Sequence, residues 1–329
     1  MIVGTNCTPD APGLLAVDVP LLVPSAHESS YFPRMVDICH KYQIEMLLSL
    51  HDLEVMVLSK HLGELSGNQT HLVVPSAISC EICLDKYAGF RFLSERGVHV
   101  PKTCLGSREA TRMIASGELA APVVVKPRWG TGSHSQFMTS NAADLPVLCR
   151  YAERSVKESA FAAFFSFGVG EGAIVQERVC GTEYGLNVVN DLNGNYVASL
   201  VLRKLGMRSG ETDSAETVVE PSLVALGTLL GNLLRHRGVL DVDVMVRNGE
   251  LYVLDLNPRF GGQYPFWHEA GADVPSALLA WRKGETPRPE WFTPTSGIRH
   301  FKEIVLNRSP STQENGPAVD PLPIRRGNN

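Results

Sequence analysis

Short apolar runs and helical periodicities take turns along the first 84 residues of the chain. Leu21 to Val23, Met46 to Ser49 and His71 to Val74 have strand length, whereas Met35 to Tyr42 and Leu53 to Leu62 carry apolar residues at helical spacing. That alternation predicts αβ layering. The strand, glycine-rich turn and helix that would open such a layer are not visible, because Met1-Ile2-Val3 runs at once into Thr8-Pro9-Asp10-Ala11-Pro12-Gly13. A shortened first domain over residues 1–84 is the expectation.

Asp85 to Arg96 then has the pattern of a helix, closed by Gly97, with Val98 to Pro101 leading out extended. Arg108 to Ser116 is a second short helix, and Ala121 to Pro127 is a buried-type strand that ends on Lys126. Later strands are predicted at 173–178, 183–189, 196–203, 239–246 and 251–256. A helix over Ser222 to Arg237 separates the last two from the rest, and its Gly227 and Gly231 are expected to allow close packing on a sheet. From Asn307 onward Pro, Gly, Asn and Ser dominate, which predicts a mobile tail over 307–329.

Composition narrows the function more than the fold. With 329 residues, 44% apolar and 20% charged, the chain has core enough for two or three subdomains. A formal charge of −5, with Arg325-Arg326 the basic doublet of the tail, offers no extended field for nucleic acid. The apolar stretch from Leu14 to Val23 is broken by Asp18 and Pro20, so neither a secretory leader nor a membrane span is indicated. Seven scattered cysteines fit a reducing cytoplasm, which makes the sequons at Asn68 and Asn307 chance matches. Cys80-Glu81-Ile82-Cys83 has no second pair to complete a zinc site, His268-Glu269 lacks the following histidine of a zinc protease, and no Gly-x-Ser-x-Gly turn occurs.

The chemistry concentrates at Asp255-Leu256-Asn257-Pro258-Arg259 and at Asp243 on the preceding strand. Residues two apart on a strand share a face, so Asp255, Asn257 and Arg259 converge. If Arg247-Asn248-Gly249 is a three-residue hairpin loop with Gly249 at a left-handed bulge, Asp243 joins them; a two-residue Asn-Gly loop would put it on the opposite face. Two carboxylates about 4 Å apart repel by roughly 4 kcal/mol at an effective dielectric of about 20, so a cation is expected between them. Oxygen ligands of this kind suit Mg²⁺. Lys126, followed by a loop with Gly130, Gly132 and Ser133, has the charge and open backbone that polyphosphate needs, without forming a P-loop or a dinucleotide fingerprint.

Taken in order, Asp85-Lys86, Lys126-Pro127 with its glycine loop, Gln176 to Tyr184, Arg208-Ser209-Gly210-Glu211-Thr212, and Asp243 with Asp255 to Arg259 resemble the ATP-grasp family. The likeness is closest to its carbamoyl-phosphate-synthase-like and amino-acid-ligase members and covers about residues 10–300. It implies an ATP-grasp fold of mixed α/β and α+β class. A pre-ATP-grasp α/β domain (1–84) precedes two α+β subdomains that sandwich ATP, a small one with the phosphate loop (85–185) and a large one with the metal site (186–306).

The resemblance also implies site residues. Lys86 and Lys126 match the basic residues on the ATP phosphates, with Gly130, Gly132 and Ser133 in the covering loop. Gln176 and Glu177 match the hinge beside adenine, and Glu183 matches the acid on the ribose. Asp243, Asp255 and Asn257 match the ligands of Mg²⁺, with Mn²⁺ as a substitute ion; Asp241, on the same face, is the rival of Asp243. Arg259 and Arg208 match cationic groups near the transferred phosphoryl and the carboxylate substrate. The implied reaction is carboxylate–amine ligation through an acylphosphate, with release of ADP and phosphate, on small molecules such as amino acids. A cytoplasmic homodimer is the implied setting, without nucleic acid or membrane partners. The want of a Ser/His or Cys/His pair agrees with phosphoryl transfer, which needs positioning and charge rather than a protein nucleophile. Bicarbonate-dependent carboxyphosphate chemistry and a non-catalytic nucleotide-binding subunit are the alternatives.

Overall fold

The structure is a computed structural model that describes residues 1–66, 70–132 and 134–305. Ser133, Asn68, Asn307, Arg325-Arg326 and the tail from 307 lie outside the described residues. Near the amino terminus β1 (Val3–Asn6) and β2 (Val19–Leu22) pair in parallel, joined through a 3-10 turn at Pro12–Ala16. A second parallel pair follows, β3 (Met46–Leu48) with β4 (His71–Val73). Helices α1 (Tyr31–Lys41), α2 (Asp52–Lys60), α3 (Leu62–Ser66) and α4 (Ala77–Leu84) cover these strands. Tyr31, Met35, Ile38, Leu53, Met56 and Leu58 form the shared core; the helical spacing from Met35 and from Leu53 is legible in the sequence, while α1 begins earlier, at Tyr31. The opening strand is thus present, and one 3-10 turn stands where a helix would follow it.

A four-stranded antiparallel sheet comes next. Its members are β5 (Thr103–Leu105), β6 (Val123–Pro127), β7 (Phe137–Thr139) and β8 (Ala173–Glu177), in the order β5-β8-β6-β7. Helix α5 (Lys86–Ser94) precedes it; the Asp85 carboxylate accepts from Tyr87 N and Ala88 N at 3.1 Å and so caps the helix. Helices α6 (Gly106–Ala115) and α7 (Leu145–Lys157) supply Ala110, Leu145, Cys149 and Ala152 to the core beneath the sheet.

The largest unit is a six-stranded antiparallel sheet. It contains β9 (Thr182–Asn190), β10 (Tyr196–Arg208), β11 (Glu211–Thr217), β12 (Gly238–Arg247), β13 (Glu250–Asn257) and β14 (Arg299–Phe301), in the order β13-β12-β9-β10-β11-β14. Helix α8 (Pro221–Leu234) lies on it through Leu223, Leu226, Leu230 and Leu234. A Cβ at Gly227 would stand 2.0 Å from Ser199 Oγ and one at Gly231 would stand 2.7 Å from Asn190 Oδ1, so these glycines do set the close approach of helix to sheet. Helices α9 (Tyr264–Glu269) and α10 (Val274–Arg282) fill the opposite face with Phe266, Trp267 and Leu278. Among the described residues no helix is long and apolar enough to cross a membrane, and Cys80 and Cys83 are free, buried thiols on α4.

After α8 the chain turns through His236, whose ring is fully buried with Nε2 3.0 Å from the Val188 carbonyl oxygen and Nδ1 without a partner. Burial pushes its pKa down to about 4. The unfolded chain takes up this proton near pH 6.5 and the folded chain only near 4, so stability is complete above pH 6.5 and declines as pH falls toward 4. We expect urea melts of the native chain to lose up to about 3 kcal/mol over that window relative to His236→Gln. Parallel pH profiles would assign the loss to other groups.

Candidate active site

The β12–β13 hairpin turns on Asn248 and Gly249, with φ of 53° and 84°, and Arg247 faces Glu250 across it. This is a two-residue loop. Continued regularly, it would place Asp243 opposite Leu254 and turn Asp255 to the other face. The register instead slips between Asp243 and Val244, so that Val244 faces Val253 while Asp243 faces Asp255 and Asp241 faces Asn257. Leu254 is the extra residue of a β-bulge. The acids therefore share one face, as expected, but the bulge brings them together rather than the turn.

The cations that separate them are lysines. Lys204 Nζ on β10 lies 2.6 Å from Asp243 Oδ1 and 2.7 Å from Glu183 Oε1. Burial opposes its charge, yet the Asp243 and Glu183 carboxylates hold its pKa above the ordinary lysine value. Lys86 Nζ, at the start of α5, lies 3.1 Å from Asp255 Oδ1 and donates to the Gly130 carbonyl oxygen at 2.9 Å. Lys126 Nζ donates to the carbonyl oxygen of the bulged Leu254 at 3.3 Å. Burial, helped by repulsion from Lys86, pushes Lys126 down to about 8 against the pull of Asp255 and Asp243. Repulsion between Asp243 and Asp255 is thus already relieved by side chains and does not by itself demand a divalent ion.

The donor set nonetheless fits one. Lys204 and Lys86 occupy Oδ1 of their respective acids; among the described residues nothing donates to Asp243 Oδ2 or Asp255 Oδ2, and Asn257 Oδ1 has only Arg259 Nη2 at 3.5 Å. These free oxygens are hard ligands on one face, beside lysines placed for anions. No group of three or more His, Cys, Asp or Glu side chains suited to a metal occurs among the described residues. An ion here would need oxygens from its companion ligand, as Mg²⁺ on a polyphosphate has.

Asp241 lies beneath this face. It is buried and its Oδ1 accepts from Asn187 Nδ2 at 2.6 Å and Gln263 Nε2 at 2.5 Å, while Gln263 Nε2 also lies 3.4 Å from Asp243 Oδ1. Burial and the neighbouring Asp243 raise its pKa. Asp243, whose side chain is 29% exposed with Oδ2 open, is better placed for an ion than Asp241, which is 7% exposed with Oδ2 packed against Gly261.

Other sequence-predicted residues are distributed as follows. Glu177 Oε1 accepts from Arg247 Nη1 of β12 at 2.9 Å and so ties the two sheets together, whereas Gln176 Nε2 donates to Thr103 Oγ1 at 2.9 Å across the β5–β8 pair of its own sheet. Arg178 to Gly181 carries the chain from β8 to β9, and a Cβ at Gly181 would stand 2.0 Å from the Val246 carbonyl oxygen. Gly130 and Gly132 have φ of 150° and 64°, which leaves the loop backbone open beside Lys86. Arg208 ends β10 and pairs with Asp213 of the neighbouring β11 at 2.5 Å, a cross-strand salt bridge. Arg259 is held by Asp52 of α2, with Nε to Oδ1 and Nη2 to Oδ2 both at 2.8 Å. Lys204, Gln263, Asn187 and Asp52 were not singled out in the sequence; the last acts across 207 positions, which no local pattern reveals.

Residues 83–263 match the family model described as ATP-grasp domain, and residues 1–73 match the one described as PylC-like, N-terminal domain. The carbamoyl phosphate synthase large chain of Campylobacter jejuni is 21% identical over 262 residues, 75% of this chain and 23% of that protein. The chain therefore spans about a quarter of the length of this curated relative. The biotin carboxylase of Campylobacter jejuni, solved with a β,γ-ATP ligand, superposes with a TM-score of 0.70 at 16% identity over 90% of this chain and 68% of that one. The biotin carboxylase domain dimer of Hydrogenobacter thermophilus 2-oxoglutarate carboxylase, solved with MgADP, ADP and bicarbonate, gives 0.69 at 14% identity over 90% and 67%. At these identities the two structures establish a shared fold.

Proposed function

The chain belongs to the ATP-grasp family, whose members are ATP- and magnesium-dependent ligases, and on that premise we propose that it joins a small carboxylic acid to an amine at the expense of ATP. The observation that carries this reading is the facing of two half-open carboxylates, Asp243 and Asp255, toward Lys86 and Lys126. Lys126 and Lys86 bind the phosphates, and the loop at Gly130 and Gly132 covers them. Backbone groups between Glu177 and Gly181 read the base, and Glu183 takes the ribose hydroxyls. Asp243, Asp255 and Asn257 hold Mg²⁺, or Mn²⁺ in its place, which when bound neutralises charge on the phosphoryl group being transferred. Arg259 donates to that group, and Arg208, released from Asp213, would meet the substrate carboxylate. The acid is phosphorylated to an acylphosphate, the amine attacks it, and ADP and phosphate leave. Amino acids are the proposed substrates.

With magnesium and ATP present, we expect ADP release to depend on both an acid and an amine from a panel of amino-acid pairs. Release that needs bicarbonate instead would transfer the reading to carboxyphosphate chemistry, and tight nucleotide binding without turnover would make the chain a binding subunit. Since the protein offers the ion too few ligands by itself, Mg²⁺ alone should leave the melting temperature unchanged, whereas Mg²⁺ with ATP at about 100 times its Kd should add about 2.7 kcal/mol. A large shift with Mg²⁺ alone would contradict the shared-ligand site.

A further inference from the structure

Arg259 arrives at the site almost fully engaged. A guanidinium has five N–H donors in a fixed plane. Nε and Nη2 form the fork on Asp52, Nη2 also faces Asn257 Oδ1 at 3.5 Å, and Nη1 donates to the Phe260 carbonyl oxygen at 3.1 Å. One Nη1 hydrogen is left, so the plane that carries it is fixed by its neighbours. Asp52 is 3% exposed and stands at the first position of α2, in the segment of the chain that precedes the ATP-grasp match. Its backbone is anchored as well: the Ser49 hydroxyl donates to Glu54 and accepts from His51 N at 3.0 Å, which fixes the turn that leads into α2.

We infer that Asp52 is a positioning residue of the phosphoryl-transfer step, aiming the remaining Nη1 hydrogen of Arg259 at the transferred group; this rests on the ligase reading above. The paired charges nearly cancel, so Arg259 acts as a directed donor, while Lys86, Lys126 and the bound cation supply the net positive charge. A bidentate fork is what sets direction, and a lysine at the same place has no plane to fix. The amino-terminal unit thereby reaches into the chemistry through Arg259.

The test compares Mg·ADP with Mg·ADP–fluoroaluminate, a mimic of the phosphoryl group in flight, by calorimetry on the full chain. Asp52→Asn keeps the shape and loses the charged fork. It should bind Mg·ADP like the native chain and lose about 10²-fold affinity for the fluoroaluminate complex, the scale of a misplaced catalytic group. Arg259→Lys keeps a cation beside Asp52, and with it the contact between units, and should show the same selective loss. If Asp52→Asn binds both ligands as the native chain does, or weakens both equally, the assignment is overturned. Should Asp52→Asn not fold, Arg259→Lys decides, and retained affinity for the mimic overturns the assignment. A native chain that binds Mg·ADP but gains nothing from fluoroaluminate removes the role of Arg259 and hence of Asp52. A native chain that binds no Mg·ADP sinks the ligase reading itself, a different and recognisable failure.

Discussion

Asp255→Asn should reduce ATP-dependent ADP release by about 10²- to 10³-fold, the usual cost of removing a group that stabilises charge in the transition state. The substitution keeps the shape of the side chain and of the bulge while changing three interactions. It removes the charge that faces Asp243 across the strands, the partner of Lys86 at 3.1 Å, and one of the two attractions that keep Lys126 protonated. The phosphate lysines are then left beside each other without their counter-ion, and Lys126 shifts further toward its neutral form. The stabilisation of the chain by Mg²⁺ with ATP should disappear with the activity, whereas the far-ultraviolet spectrum should not change, since Leu256 and Val253 keep the strand in the core. Coupled-enzyme detection of ADP and a melting curve with and without Mg·ATP make the measurement. Activity within a few-fold of the native chain would mean that the ion is held elsewhere.

How much of this was visible in the sequence depends on whether the cause was local. The strand at 251–256, the helix at 222–237 and the convergence of Asp255 with Asn257 follow from periods of 2 and 3.6; the structure contains all three, with the helix ending at Leu234 where Arg235 turns left-handed, three residues short of the expectation. The turn was misleading. Asn248-Gly249 forms a two-residue loop, and the compensating bulge is seen in the structure as a phase slip of the core-facing residues, Leu251 and Val253 and then Leu256, which the unbroken apolar run Leu251 to Leu254 hides in the sequence. Helix α7 was missed although Leu145, Cys149, Ala152 and Val156 lie at helical spacing, because charged Arg150, Glu153 and Arg154 between them lower the apolar density of the segment. Short β7 and β14, three residues each, carry too little pattern to be recognised alone. Lys204 lies one residue past the strand predicted at 196–203, whereas β10 runs on to Arg208; inside a buried ladder a lysine requires partners, and Glu183 on β9 and Asp243 on β12, the next two strands on one side of β10, supply them. The fork between Asp52 and Arg259 joins segments 207 positions apart and has no local signature.

Lys126→Met should stabilise the ligand-free chain and weaken its nucleotide affinity. Burial holds the pKa of Lys126 at about 8, below the 10.5 of a free lysine, so keeping its charge at neutral pH costs folding about 3 kcal/mol. The sign follows from proton counting: between pH 8 and 10.5 the unfolded chain holds a proton that the folded chain has lost, so the cost is complete below pH 8 and fades as pH rises to 10.5. Methionine fills the same space against Phe90 without charge, at the loss of the bond to the Leu254 carbonyl oxygen, worth about 1 kcal/mol. Urea melts at pH 7 should therefore favour the variant by about 2 kcal/mol, with the advantage shrinking above pH 8. Calorimetry with Mg·ATP should show about 10- to 100-fold weaker binding, the worth of one charge-assisted bond to phosphate. A lysine kept in the core at such a cost is explained by an anion that it meets there. A variant that is less stable than the native chain, or one that binds Mg·ATP as well, would show that Lys126 serves the fold and not the phosphate.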